Sequence, residues 1–210
     1  MTEQQMTLAK AEQRKYEKVW RDPRYAMHSP GAELVKLFRE LCPEEGTLLD
    51  LGCGTGAAGA QLSVLGYGVG LMDFVDARRH FATALPFTRQ NLWGKWHIPV
   101  DYGYCCDVLE HIPPERLNDV LRRISASCER CFFGVHFRHD VFGPTLLGEP
   151  LHLIVQPFTW WRDKLGELGE VEDARDLIGR GTFLVNYSER LPGQGQRAKA
   201  HDTAQHPQKH

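Results

Sequence analysis

The sequence predicts an α/β fold built on a doubly wound, mostly parallel sheet, and three observations carry that prediction. Short apolar runs alternate with segments of helical spacing along most of the chain, an order that places helices on both faces of a parallel sheet. The first run ends in a glycine-rich turn, Gly52-Cys53-Gly54-Thr55-Gly56, that opens directly into a helical segment. The last two runs are separated only by a short turn with Gly179-Arg180-Gly181, so they pair as an antiparallel hairpin without a crossover.

The elements follow in order. Residues 4–20 have weak helical periodicity ending at Tyr16, Val19 and Trp20, and Pro23 then breaks the pattern. Ser29-Pro30 starts a helix to about Leu41, with Ser29 as cap and Pro30 in the first turn. Thr47–Leu51 is a buried strand, 57–65 a helix stopped by Gly66, 67–72 a strand and 75–84 a short helix. A strand is expected over 87–92 and another over 102–108, followed by a helix at 114–127 with Leu117, Val120, Leu121 and Ile124 on one face. A strand at 131–137, a helix at 157–167 and strands near 171–177 and 182–187 complete the series. The expected organisation is an N-terminal helical arm over 1–43, placed to act as a lid, a ligand-binding domain over 44–190, and a disordered tail over 191–210. That tail has almost no apolar side chains to offset the entropy of ordering it.

Composition narrows the functional classes. The 210 residues suit one domain, and 42% hydrophobic with 25% charged residues is ordinary for a globular chain. A net charge of −2 argues against a broad basic face for nucleic acid. No apolar run approaches a membrane span, and the polar start is no secretory signal, so a cytoplasmic location is expected. Six cysteines in such a chain read as reduced thiols. Cys128-Glu-Arg-Cys131 is a lone CxxC without a second pair, so no metal is expected.

The glycine turn carries the chemistry. Gly52, Gly54 and Gly56 let the backbone approach a ligand closely, and the turn leads to a helix N-terminus that favours a carboxylate or phosphate. Asp50 sets a carboxylate suited to an ammonium beside the turn, and Asp73 closes the second strand where it can accept from ribose hydroxyls. Gly54-Thr-Gly56-Ala-Ala-Gly59 also satisfies the GxGxxG fingerprint of dinucleotide enzymes, so the turn by itself admits an NAD-dependent oxidoreductase too.

Two blocks resemble a family. Leu48-Leu49-Asp50-Leu51-Gly52-Cys53-Gly54-Thr55-Gly56 is similar to the first motif of class I S-adenosylmethionine-dependent methyltransferases. Asp101 to Ile112, with Asp107-Val108-Leu109-Glu110-His111-Ile112, resembles that family's fourth strand and the turn after it. The wider pattern YEKVW…HSPG, DYGYCCDVLEHIPP and LHLIVQPFTWW resembles small members from phage and bacterial genomes. The resemblance implies a seven-stranded sheet whose last strand is antiparallel, and S-adenosylmethionine as cofactor. It puts Asp50, Gly52, Cys53, Gly54 and Gly56 on the methionine moiety, Asp73 on the ribose and Asp107 near the cofactor. The family's acid for adenine is absent after the third strand, where Gln90-Asn91 stands, and Asn91 is the candidate in its place. Two blocks in the family's order favour this donor over a dinucleotide.

The acceptor is less constrained. Groups able to move a proton must sit at the carboxyl ends of strands. His152, between leucines in a segment over that face, and His111 are the candidate bases, with Glu110, His136, His139 and Glu149 nearby. The family's amino-directed DNA enzymes carry Asp/Asn-Pro-Pro-Tyr/Phe where Asp107-Val-Leu-Glu110 stands, and its cytosine-C5 enzymes need a Pro-Cys that Cys105-Cys106 does not supply. The expected acceptor is a small molecule, saccharide or nucleotide, methylated on oxygen or nitrogen. Nucleic-acid modification, with the arm and Arg197/Lys199 as contacts, is the alternative.

Overall fold

Residues 3–188 are described by the computed structural model. Seven strands form one sheet: β1 (Thr47–Leu51), β2 (Gly68–Asp73), β3 (Phe87–Arg89), β4 (Val100–Cys106), β5 (Cys128–His136), β6 (Glu170–Asp176) and β7 (Arg180–Asn186). Their spatial order is β3-β2-β1-β4-β5-β7-β6. Strands β1 to β5 are mutually parallel, and β7 lies antiparallel between β5 and β6. The chain runs outward from β1 to β3 and then returns to β4 on the other side of β1. That reversal leaves a crevice at the carboxyl ends of β1 and β4, where open α/β sheets bind ligands.

Helices α1 (Glu3–Val19), α2 (Pro23–Ala26), α3 (Pro30–Leu41), α4 (Ala57–Val64), α5 (Leu117–Ser127), α6 (Phe142–Leu147) and α7 (Phe158–Gly166) surround the sheet. Successive strand residues face opposite ways, so Leu48 packs under α3 and α4 with Leu34, Phe38 and Leu62, while Leu49 packs on the other side with Val120, Ile124 and Trp161. The adjacent Cys105 and Cys106 divide between the same two faces. At the carboxyl ends of the strands α1 closes the crevice, burying Tyr16 and Val19 against Val75 and Leu151. Edge strand β6 is charged and exposed, which discourages pairing with a further strand.

Several elements differ from expectation, each for a local reason. No α-helix forms over 75–84, where only a 3₁₀ turn at His80–Ala82 is present. The Arg79 N–H, which a helix here would direct to the Val75 carbonyl, donates instead to the Thr55 carbonyl (3.0 Å), and the Ala77 N–H donates to the Val75 carbonyl (3.2 Å). The third strand stops at Arg89, because Asn91 turns the chain: its side-chain oxygen accepts the Trp93 N–H and its carbonyl the Gly94 N–H. The helix expected from residue 114 begins as a 3₁₀ turn and becomes α-helical at Leu117, and β5 reaches back to Cys128. Helix α6 was not anticipated. Asp140 starts it by accepting the Gly143 N–H (2.5 Å), and Gly148 at φ +76° ends it. The expected tail lies outside the described residues. No helix among them is long and apolar enough to cross a membrane.

Phe38 is fully buried, with ring centroids of Tyr67, Tyr102, Tyr104 and Phe132 at 5.3–5.8 Å. Phe38→Ala is expected to lower the unfolding free energy by about 3–5 kcal/mol in urea titrations. Val64→Ala, at a side chain 87% exposed on α4, should change it by less than about 0.5 kcal/mol.

Candidate functional site

The site is built on the turn between β1 and α4. Gly52, Gly54 and Gly56 have φ of +73°, +50° and +75°, a region in which L side chains are strained. Close approach reinforces the requirement: a Cβ on Gly52 would lie 2.5 Å from Val108, and one on Gly54 2.8 Å from the Trp20 ring. The N–H groups of Gly52 and Cys53 both donate to the Met72 carbonyl (2.8 and 3.1 Å), which ties the turn to β2.

Two adjoining cavities flank this turn and share Trp20, Tyr25, Gly52, Asp107 and His111. The larger, about 340 Å³, reaches Asp50, Cys53, Gly54, His136, Arg138 and His152. The smaller, about 80 Å³, is lined by Tyr16, Asp73, Phe74, Gln90, Leu92 and Trp93. Trp20 lies across the turn where the two lobes meet, so the arm supplies a wall to both. In the smaller lobe the buried Tyr16 hydroxyl and Trp93 indole N–H have no hydrogen-bond partner among the described residues. Unsatisfied polar groups of that kind are costly in an interior and point to a polar ligand.

Carboxylates dominate the electrostatics. Asp50 is buried and accepts the Gly59 N–H (3.0 Å); burial pushes its pKa up to about 7 against that bond. Asp73 is buried and accepts the N–H groups of Gly54 (2.9 Å) and Val75 (3.0 Å), and burial raises it to about 6. Glu110 is fully buried, accepts the His136 N–H with Oε1 (2.7 Å), and is raised well above the usual range by burial and then by the charge of Asp107. Asp107 closes the set at φ +63°, its Oδ1 3.1 Å from His136 Nε2. No arginine or lysine among the described residues pairs with any of the four. Burial lowers the pKa of His111 to about 4 and depresses that of His136, favouring neutral imidazoles.

Most of the residues singled out from sequence come together here. Asp50, Gly52, Cys53, Gly54, Asp107, His111 and His152 line the larger lobe, and Asp73 the smaller. Gly56 lines neither; it turns the chain into α4. Asn91 lines neither lobe, since its side-chain oxygen is spent on Trp93, and its neighbour Gln90 reaches the smaller lobe. Sequence reading missed Asp140, whose carboxylate accepts the N–H groups of Leu151 (2.7 Å) and His152 (2.9 Å) and so fixes the segment carrying His152. Nothing local in Arg138-His139-Asp140 signals that partner, because the contact skips over α6.

No protein-family profile and no curated protein matches the chain. Solved structures do. Burkholderia thailandensis 1,6-didemethyltoxoflavin-N1-methyltransferase, bound to 1,6-didemethyltoxoflavin and S-adenosylhomocysteine, superposes with a TM-score of 0.69 at 14% identity, over 89% of this chain and 90% of that one. A TehB-like S-adenosylmethionine-dependent methyltransferase from Corynebacterium glutamicum gives 0.59 at 17% identity over 84% and 98%. Magnesium protoporphyrin IX methyltransferase from Synechocystis with bound S-adenosylhomocysteine gives 0.58 at 16% over 74% and 80%. The chain therefore has the Rossmann-like fold that these methyltransferases share, with its antiparallel β7.

The buried acids have a consequence for stability. A carboxyl whose folded pKa is raised takes up protons on folding between its unfolded value and the raised one, so its burial destabilises the protein increasingly as pH rises through that window. For Asp50 the window runs from the ordinary value of 3.8 to about 7. Asp50→Asn is expected to remove up to one proton, about 1.4 kcal/mol per pH unit, from the pH slope of stability between pH 5 and 7. Urea unfolding of both proteins at several pH values reads that slope, and parallel curves would refute it.

Proposed function

We propose that the protein transfers a methyl group from S-adenosylmethionine to a small-molecule acceptor, with the donor across the turn and smaller lobe and the acceptor in the larger lobe. The observation that carries this reading is the pair of buried carboxylates without cationic partners, Asp50 and Asp73, on either side of the glycine turn. The donor, when bound, supplies a methyl group on a positively charged sulfur. Its remaining parts match what the residues offer. Each Asp73 oxygen accepts one backbone N–H and keeps a lone pair for a ribose hydroxyl. Phe74, Leu92 and Trp93 provide apolar surface for a base, and the Gln90 amide in the same lobe has an oxygen suited to accept from an adenine amino group. Asp50 supports an ammonium group beside Gly52, Cys53 and Gly54, and Asp107 faces the junction of the lobes.

Methyl transfer from sulfur needs the acceptor held in line, and positioning supplies much of the rate. The larger lobe has the volume of a small-molecule site, and His111, His136 and His152 stand in it to hold an acceptor or move its proton. The acceptor class agrees with the neighbours: the Burkholderia enzyme is named for 1,6-didemethyltoxoflavin and the Synechocystis enzyme for magnesium protoporphyrin IX.

Calorimetric titration tests the donor. S-adenosylmethionine and S-adenosylhomocysteine are expected to bind and NAD is not; NAD binding more tightly than either would overturn the proposal. Asp73→Ala should weaken S-adenosylmethionine binding at least tenfold, about 1.4 kcal/mol. Affinity should also rise with pH between about 5.5 and 7.5, because Asp50 at about 7 and Asp73 at about 6 must lose their protons to meet a cation and hydroxyl donors. A pH-independent affinity would count against the assigned contacts.

A further inference from the structure

Behind the donor turn, residues from two distant parts of the chain converge on one point. One ligand atom each from Asp107, Glu110, His111 and His152 lies within 4.8 Å of every other. Around an ion with bonds of about 2.0–2.2 Å, opposite ligands stand roughly 4.0–4.4 Å apart and adjacent ones roughly 2.8–3.6 Å, so the four side chains draw inward to enclose one.

The state of each group fits that use. His111 Nδ1 lies 3.1 Å from the Leu151 carbonyl oxygen, and His152 Nδ1 lies 2.5 Å from the Arg138 carbonyl oxygen. A carbonyl oxygen only accepts, so each ring carries its proton on Nδ1 and presents its lone pair at Nε2. A backbone carbonyl on the second nitrogen is the usual support of a metal-ligating histidine. Glu110 supplies the independent sign. It is fully buried, Oε1 accepts the His136 N–H, and no N–H or hydroxyl among the described residues donates to Oε2, the Asp107 carboxyl being the neighbour within hydrogen-bonding reach of Glu110. An orphaned carboxyl oxygen in an interior carries a desolvation cost, and a cation removes it.

The supports are rigid. Asp140 holds the N–H groups of Leu151 and His152, and the Glu110 carbonyl accepts from Leu153 (2.7 Å) and Ile154 (3.0 Å). The His152 segment is thereby fixed to the turn that carries the other three ligands. His136 Nε2 holds the Asp107 carboxylate from outside the set.

We infer that Asp107, Glu110, His111 and His152 bind a divalent metal ion in the wall of the larger lobe, and that the ion takes a hydroxyl acceptor as a further ligand. Two imidazoles with two carboxylates and no thiolate suit Mn²⁺, Co²⁺ or Zn²⁺, and a six-coordinate ion keeps two positions for acceptor or water. This revises the expectation of no metal, which rested on cysteine spacing alone.

The second part rests on the methyl-transfer reading, while metal binding does not. Bound to the ion, the acceptor O–H is acidified and gives its proton to water. The oxygen then forms the new O–CH₃ bond as the S–CH₃ bond of the donor breaks, and sulfur keeps that electron pair as a neutral thioether. His111 and His152 act as ligands in this scheme, not as bases.

The test begins with full-length protein treated with chelator and dialysed. Titration with Mn²⁺ alone, followed by electron paramagnetic resonance, should give one site per chain, and Mn²⁺ should raise the melting temperature. The isosteric Glu110→Gln should lower Mn²⁺ affinity at least tenfold, as should His152→Gln, with S-adenosylmethionine affinity changed less than threefold. Circular dichroism establishes that each variant is folded, and Glu110→Gln carries the test if His152→Gln is not. Absence of Mn²⁺, Co²⁺ and Zn²⁺ binding by the wild type, or unchanged affinity in folded Glu110→Gln, overturns the site. Metal binding without S-adenosylmethionine binding leaves the site standing and sinks the donor reading instead. Catechol, a hydroxyl probe, should alter the visible spectrum of the Co²⁺-loaded protein; an unchanged spectrum overturns the position for an acceptor.

Discussion

Four buried or half-buried carboxyl groups, Asp50, Asp73, Asp107 and Glu110, collect where β1, β2 and β4 end, with no lysine or arginine among the described residues paired to them. An isolated buried charge is among the costliest features a fold can hold. The chain holds Asp50, Asp73 and Glu110 by backbone N–H donors from Gly59, Gly54, Val75 and His136, and Asp107 by the His136 ring, which is what links the glycine turn, β2 and β5 to one another. Such donors offset part of the cost and bring no positive charge. A cationic ligand would offset what cost remains, and both proposed occupants, a sulfonium donor and a divalent ion, are cations.

Local features of this arrangement were legible in the sequence. Asp50, the glycines and Asp73 lie within one strand–turn–helix–strand unit, where spacing along the chain translates directly into position. Adjacency on one strand likewise puts Leu48 and Leu49, and Cys105 and Cys106, on opposite faces, because strand geometry depends only on parity. What escaped depends on contacts remote in sequence or on side chains competing with backbone bonding. The segment after Asp73 has helical spacing, yet the Thr55 carbonyl takes the Arg79 N–H that a helix would pair with Val75, and a turn wins. The four-residue cluster was invisible for another reason. Asp107, Glu110 and His111 were each noticed, as was His152, but only the Asp140 and Glu110 backbone contacts bring His152 to the other three.

The arm shows how tertiary packing redefines a segment read as an appendage. Tyr16 and Val19 are as buried as core residues, and Trp20 stands over Gly54 at the meeting of the two lobes. A ligand spanning both lobes must pass this tryptophan, so the arm and the glycine turn bear on one another. Gly54 is thus held to glycine twice, by its positive φ and by the ring above it.

Asp107 exposes the same logic from the side of strain. A left-handed backbone at a non-glycine residue costs of order 1–3 kcal/mol, and glycine at this position would relieve it. Glycine would also remove the carboxylate that His136 holds and that lines both lobes. The neighbouring geometry enforces the conformation: the Asp107 N–H donates to the Gly134 carbonyl at 2.8 Å, continuing the β4–β5 ladder while the chain turns away. A side chain is thereby thrown across the end of its own strand toward the glycine turn. Strain of this kind persists only where the surrounding structure overdetermines it, and here that structure is the junction between the two proposed ligands. The position has aspartate where backbone preference alone would favour glycine, and its carboxylate lines both lobes.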